Sequence, residues 1–114
     1  MDIILASTSP YRRRLLERLQ LPFRCIPPAV DETPLPGEQP GPLAGRLALE
    51  KARAVAATEP LALVIGSDQV AALAGAILGK PGSYSVAREQ LRASSGRALQ
   101  FWTGLAIVCQ AREL

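Results

Sequence analysis

The sequence predicts an α/β domain, and three observations carry that expectation. Short apolar runs alternate with amphipathic stretches of helical period along the chain. Two of those runs, Ile3–Ala6 and Leu61–Ile65, are continuous, as strands covered on both faces tend to be. Both lead into short polar sequences, Ser7-Thr8-Ser9 and Ser67-Asp68-Gln69, and strand ends are where α/β proteins place their chemistry. The chain has 114 residues, 48% of them hydrophobic, which suits one domain with one modest core and excludes a disordered chain.

The first strand is expected over Asp2–Ala6. A helix follows from Pro10 to about Leu19, with Ser9 as N-cap and Pro10 at the first helical position, where a missing N–H costs nothing. Leu15, Leu16 and Leu19 form its apolar stripe. Phe23–Ile26 reads as a second strand, closed by Pro27-Pro28. Residues 27–42 hold six prolines and two glycines and are expected to form a long loop, a length that is usually functional or mobile. A second helix fits Leu43 to about Ala57, with Leu43, Leu47, Ala48, Ala52, Val55 and Ala56 on one side. Glu50 and Lys51 are consecutive in it and cannot share a face.

Leu61–Ile65, bounded by Gly66, is expected to be a central strand that ends in Ser67-Asp68-Gln69. Val70–Leu78 reads as a hairpin around Gly75, closed by Gly79-Lys80-Pro81-Gly82. A third helix fits 83–94, with Ser83 as its cap and Gly96 as its stop. Leu99–Val108 is a long strand in which Trp102 is expected in the core. Cys25 and Cys109 lie far apart without metal-type spacing, and two buried thiols in a reduced compartment is the expectation.

Composition removes several functions. Thirteen basic residues against ten acidic ones leave a net charge of +3, and aromatic residues are 4% of the chain. A mild, scattered excess with few aromatics does not suit nucleic-acid binding. No apolar run is long enough to span a membrane, and the N-terminus does not resemble a secretory signal, so a cytoplasmic location is expected. The chain has no His, which removes histidine triads, histidine-ligated zinc and histidine general bases. Any metal would have oxygen ligands, which favours Mg²⁺ or Mn²⁺. Only Lys51 and Lys80 among the thirteen basic residues are lysine, a hint that a compact ammonium is wanted at each.

The polar clusters suggest phosphate chemistry. A helix N-terminus offers unpaired N–H donors and partial positive charge. With Ser7, Ser9, Arg12 and Arg13 beside it, the turn suits a polyphosphate, because guanidinium groups grip phosphate oxygens in pairs. The plain alternative is a capped helix with a solvated basic face. Asp31-Glu32 reads either as a solvated turn or as a source of carboxylates for such a site, and Glu50-Lys51 either as surface charges or as a source of positive charge for the phosphates. Asp68 after a buried strand needs a partner or a purpose, and it could orient or deprotonate a water. Gly79-Lys80 does not meet the spacing of a P-loop.

These motifs appear together in a characteristic order. Leu5-Ala6-Ser7-Thr8-Ser9-Pro10-Tyr11-Arg12-Arg13, Val30-Asp31-Glu32, Glu50-Lys51-Ala52, Gly66-Ser67-Asp68-Gln69-Val70 and Gly79-Lys80-Pro81 resemble the Maf family of nucleoside triphosphate pyrophosphatases over nearly the whole chain. The resemblance implies a mixed central sheet flanked by helices, like that of inosine triphosphate pyrophosphatases, with a cleft between two lobes. It implies hydrolysis of a nucleoside triphosphate to the monophosphate and pyrophosphate with a divalent metal. Asp68 corresponds to the proton acceptor. Ser7, Ser9, Arg12, Arg13, Glu32, Lys51 and Lys80 correspond to residues lining the substrate and phosphate site, with Glu32 and Asp68 placing the metal. Ser67-Asp68-Gln69 and Tyr11 look like the branch acting on 7-methyl-GTP. Tyr11 would stack on the cationic methylated base and Gln69 would read a base edge.

The alternatives are a dTTP or UTP preference within the family, and a nucleotide-binding or cell-division-associated protein without turnover. Family members continue well beyond Leu114, so residues 1–114 are expected to form a single incomplete domain, truncated relative to the family fold. Either the chain is a fragment, or two copies pair as a homodimer to cover an exposed strand edge.

Overall fold

The computed structural model describes residues 2–73, 76–77, 99–110 and 112–113. Among the described residues, a six-stranded mixed sheet carries two helices. In chain order the elements are β1 (Ile3–Ala6), α1 (Pro10–Glu17), β2 (Arg24–Cys25), α2 (Pro40–Ala56), β3 (Leu63–Leu73), β4 (Ala76–Ile77), β5 (Leu99–Cys109) and β6 (Arg112–Glu113). The sheet order is β2-β1-β3-β5-β6, with β4 also on β3. β1 runs parallel to β2 and β3, and every other pairing is antiparallel. The expected mixed α/β architecture is present. The 83–94 helix and the Gly79-Lys80-Pro81 segment lie outside the described residues. Among the described residues no helix is long and apolar enough to cross a membrane.

The two helices form for different reasons. At α1, Ser9 accepts the backbone N–H of Arg12 at 3.3 Å and Pro10 starts the first turn. A turn over Arg18–Gln20 ends the helix, with Gln20 in the left-handed region at φ 58°. Its expected apolar stripe is not covered: α1 has no buried residue, and Leu15 and Leu19 are exposed. Helical period marks a face able to bury itself, not a partner that covers it.

α2 starts three residues earlier than expected, at Pro40 rather than Leu43. Pro40 and Pro42 fit because first-turn N–H groups have no helical acceptor. Its inner face is the expected one, and Leu43, Leu47, Ala48, Ala52, Val55 and Ala56 are all buried. It packs on the sheet in two apolar clusters. One joins Ile4, Ala6, Ala52, Val55, Val64 and Val108, and the other joins Leu43, Ala44, Leu47 and Val70.

β3 does not end at Gly66. It runs on to Leu73, held by β5 in continuous register from Val64↔Val108 to Leu73↔Leu99. Ser67-Asp68-Gln69 is therefore mid-strand. What ends near it is β1, whose last pair with β3 is Ala6↔Gly66. β4 rejoins the same side of β3 only at Ala72↔Ile77, giving the expected hairpin. Alternate β3 residues, Val64, Gly66, Asp68, Val70 and Ala72, are buried beneath α2. On the opposite face Leu63 and Ile65 of β3 are half-buried, so the strand expected to be covered on both sides is only partly covered there, and Phe101, Leu105 and Ile107 of the neighbouring β5 are exposed.

Two further expectations are corrected. Trp102 is 45% exposed, because its pairing with Val70 carries it to the first turn of α2, where its ring lies over Gly41. Cys25 and Cys109 are free thiols and half-buried, one on the short strand β2 and the other at the last residue of β5.

Candidate active site

The sheet splits where β1 leaves β3, and a polar cavity of ≈ 380 Å³ opens there. Its wall comes from three places. The turn after β1 supplies Ser7, Thr8, Ser9 and, from α1, Arg12; the loop after β2 supplies Pro28, Val30 and Glu32. Lys51 of α2 and Asp68 and Gln69 of β3 complete it. Ligands in open α/β sheets bind at such split points, beyond the carboxyl ends of parallel strands.

An ammonium bridge lies at the centre. Lys51 Nζ stands 2.7 Å from Asp68 Oδ1 and 2.9 Å from Glu32 Oε1. Lys51 and Asp68 are 8% and 4% exposed, whereas the Glu32 side chain is 39% exposed. The bridge is polar material set between the two apolar clusters: Lys51 precedes Ala52 of one cluster and follows Leu47 of the other, while Asp68 lies between Val64 and Val70. A charge taken out of water there requires a partner, and each supplies the other. Two carboxylates around one ammonium leave the group with one net negative charge.

The wall opposite is donor-rich. The Ser9 backbone N–H donates to Ser7 Oγ at 3.0 Å, which folds the turn tightly before the Ser9 cap. Both hydroxyl oxygens accept locally, and each hydroxyl keeps a proton to donate. Arg12 is half-buried in the wall. Thus donors and positive charge from the serine turn share one cavity with a lysine-bridged carboxylate pair.

Of the residues singled out from sequence, Ser7, Ser9, Arg12, Glu32, Lys51, Asp68 and Gln69 all meet at this cavity. Arg13 does not line it, and its guanidinium reaches Glu17 at 3.3 Å on the α1 surface. Tyr11 is 63% exposed and also lies off the wall. Lys80 is outside the described residues. Sequence reasoning missed Thr8, Pro28 and Val30 as wall residues, and missed Arg46, which ties the Glu32 loop to α2. An Arg–Glu spacing of four, Arg46 to Glu50, was the only local signal for Arg46.

Among the described residues no group of three or more His, Cys, Asp or Glu converges as a complete metal site. Two carboxylates with hydroxyls nearby do fit a hard divalent cation of the Mg²⁺ kind, which takes one or two carboxylates and completes its shell with water and substrate phosphates.

Fold and cavity together define a mixed α/β protein with a polar, charge-lined cleft at the split of its sheet. A family model described as Maf-like protein matches residues 2–114, and the chain belongs to the Maf family. It is 60% identical over 105 residues to the 7-methyl-GTP pyrophosphatase of Bordetella pertussis, covering 92% of this chain and 53% of that protein. It is 61% identical over 107 residues to the 7-methyl-GTP pyrophosphatase of Polaromonas sp., covering 94% of this chain and 49% of that one. The chain therefore spans about half the length of these curated relatives. A crystal structure of a nucleoside-triphosphatase / dITP/XTP pyrophosphatase from Mycobacterium abscessus superposes with a TM-score of 0.59 at 21% identity, covering 99% of this chain and 68% of that one. That likeness shows the shared fold.

Proposed function

We propose that this chain carries the phosphate-binding and catalytic portion of a nucleoside triphosphate pyrophosphatase acting on 7-methyl-GTP, in the cytoplasm. One observation carries the reading: Lys51 bridges Asp68 and Glu32 inside a cavity whose other wall is the Ser7–Ser9 turn with Arg12. The activity of the two curated relatives suggests the base.

The triphosphate lies against the serine turn, with Arg12 pairing phosphate oxygens and the α1 N-terminus adding its partial positive charge. Lys51 has three N–H donors, of which two are held by carboxylates, and the third serves a phosphate oxygen. Asp68 Oδ1 is taken by Lys51, so Oδ2 orients the water and receives its proton. The water oxygen bonds to the α-phosphorus, the α–β anhydride bond breaks, and pyrophosphate leaves with that electron pair. A Mg²⁺ or Mn²⁺ ion held by Glu32 and Asp68 supplies charge neutralisation on the phosphates when bound. Gln69 offers an amide at the cavity edge for a base, and Tyr11 an exposed ring beside the turn. The family resemblance assigns Arg13 and Lys80 to the phosphate grip as well, and for Arg13 this role requires its guanidinium to leave Glu17 and turn to the cavity.

The test is pyrophosphate release from 7-methyl-GTP, GTP, dTTP and UTP with Mg²⁺ or Mn²⁺. The expected result is preference for 7-methyl-GTP and a fall of about a hundredfold or more in Asp68→Asn, the scale of a lost general base. Full activity in Asp68→Asn, or no turnover of any nucleotide, overturns the reading.

A further inference from the structure

Arg46 of α2 makes four side-chain hydrogen bonds, yet it does not line the cavity. Its Nε donates to Glu38 Oε2 at 2.7 Å and its Nη2 to Glu38 Oε1 at 2.9 Å, a two-point grip on one carboxylate. Nη2 also donates to the Thr33 carbonyl at 3.2 Å, and Nη1 to Glu50 Oε2 at 3.0 Å. Four of the five guanidinium donors are thereby engaged. Glu38 in turn accepts the backbone N–H of Leu35 at 2.9 Å. The grip spans the segment that begins one residue after Glu32, and Asp31 Oδ1 accepting the Thr33 N–H at 2.9 Å ties that segment back across Glu32.

Residues 31–37 are exposed, so apolar burial does little to place them. α2 holds this loop at two stations instead. Lys51 takes Glu32, and Arg46, about 7.5 Å along the same helix axis, takes Thr33 and Glu38. The two differ in what substrate does to them. A triphosphate oxygen takes the third N–H of Lys51, and the ammonium then divides its charge among the phosphate, Asp68 and Glu32, which weakens its attraction for Glu32 without displacing it. Arg46 faces its own carboxylates and is not drawn away.

We infer that Arg46, with Glu38, is a positioning residue that keeps the Glu32 carboxylate at the catalytic centre while Lys51 is engaged by phosphate. The inference rests on the reading of the cavity as a pyrophosphatase site. Supporting residues around ligating carboxylates commonly change metal affinity or activity 10- to 100-fold, as order of magnitude.

The experiment compares Arg46→Ala, Arg46→Lys and Glu38→Gln with Arg24→Ala. Arg24 also has two acidic partners, Asp2 at 2.6 Å and Glu59 at 3.4 Å, but lies off the cavity wall. Pyrophosphate release is measured against Mg²⁺ concentration at saturating 7-methyl-GTP, alongside hydrogen exchange of the Thr33 and Leu35 amides. Arg46→Ala is expected to raise the half-saturating Mg²⁺ and lower kcat, each by about tenfold, with little change in KM. Arg46→Lys, which keeps the charge without the fork, recovers only part, and Arg24→Ala matches the parent. Faster exchange at Thr33 and Leu35 accompanies the loss in Arg46→Ala and Glu38→Gln. Kinetics within twofold of the parent in both variants overturn the inference. Should the parent protein not hydrolyse nucleotide, the functional reading fails by itself, and the exchange data still decide: unchanged Thr33 and Leu35 amides in both variants overturn the clamp, and selective loss of their protection sustains it.

Discussion

Gly66 of β3 lies directly against the backbone of Ala48 in α2. A Cβ added at Gly66 would sit 2.1 Å from the Ala48 carbonyl oxygen. Gly104 of β5, the register partner of Asp68, repeats the approach, with 2.1 Å to the Ala44 carbonyl oxygen. Two side-chain-free positions on adjacent strands thus let α2 settle onto the sheet, and Lys51 on that helix then reaches Asp68.

Gly66→Ala is accordingly expected to destabilise the protein by about 2 kcal/mol or more, since backbone cannot step aside as a flexible side chain can. Gly45 is the contrast. It is exposed in the middle of α2, and a Cβ there meets nothing within 4 Å. Gly45→Ala should stabilise by about 0.5–1 kcal/mol through helix propensity alone. Urea unfolding of the two variants should give opposite signs, and equal signs would deny the close approach.

What the sequence displays follows the range of the interaction. The Ser9 cap and the inner face of α2 are local matters, fixed by spacing within a few residues, and both are found as read. The extent of β3 is not local. Gly66 looks like a stop, but β5 pairs across it through Ala106, far along the chain, and long-range pairing overrides the local signal. For the same reason Asp68 is recognisable as a residue in need of a partner, while the identity of that partner, Lys51, appears only once α2 is docked. The sequence shows only the spacing of Arg46 to Glu50, because the other three of its four hydrogen bonds go to a loop whose path no period encodes.

Ser9→Ala removes the acceptor for the Arg12 N–H. Loss of such a cap costs about 1 kcal/mol in helix stability. α1 has no buried residue to compensate, so its helicity leans on the cap. The expected outcome is loss of helical circular dichroism confined to about two turns, with global unfolding shifted little. Weaker binding of inorganic pyrophosphate should accompany it if, as proposed, the fraying end holds the phosphates.

The loop that carries Glu32 should respond to acid. The hydrogen bond from Arg46, and then the Leu35 N–H, hold the Glu38 carboxyl below its ordinary value of 4.5. Hydrogen bonds from the Thr33 side chain and backbone hold Asp31 below 3.8. Arg46 and Glu50 are the other charged groups at this junction. A carboxyl with a lowered folded pKa contributes fully above its unfolded value, and the contribution fades as pH falls through the folded one. Protection of the Thr33 and Leu35 amides should therefore be level from neutrality to about pH 4.5 and fall below it, less steeply in Glu38→Gln. A loss centred near pH 6.5, about the value of a free imidazole, would point away from these carboxylates.

Lys51→Met separates the two meanings of the ammonium bridge. Removing it leaves Asp68 buried at 4% exposure without its counter-ion, and breaking a buried pair from one side typically costs about 3 kcal/mol. Asp68→Asn is milder, about 1 kcal/mol, since the amide oxygen still accepts from Lys51 and Glu32 still faces the ammonium. Lys51→Met with Asp68→Leu should recover much of the stability lost in Lys51→Met alone, because apolar surface would then join the two clusters on either side. The recovered fold should bind and hydrolyse no nucleotide. Stability regained without activity is the signature of a charged pair kept for chemistry. If Lys51→Met unfolds no more easily than the parent protein in urea, the pair is solvated and that separation fails.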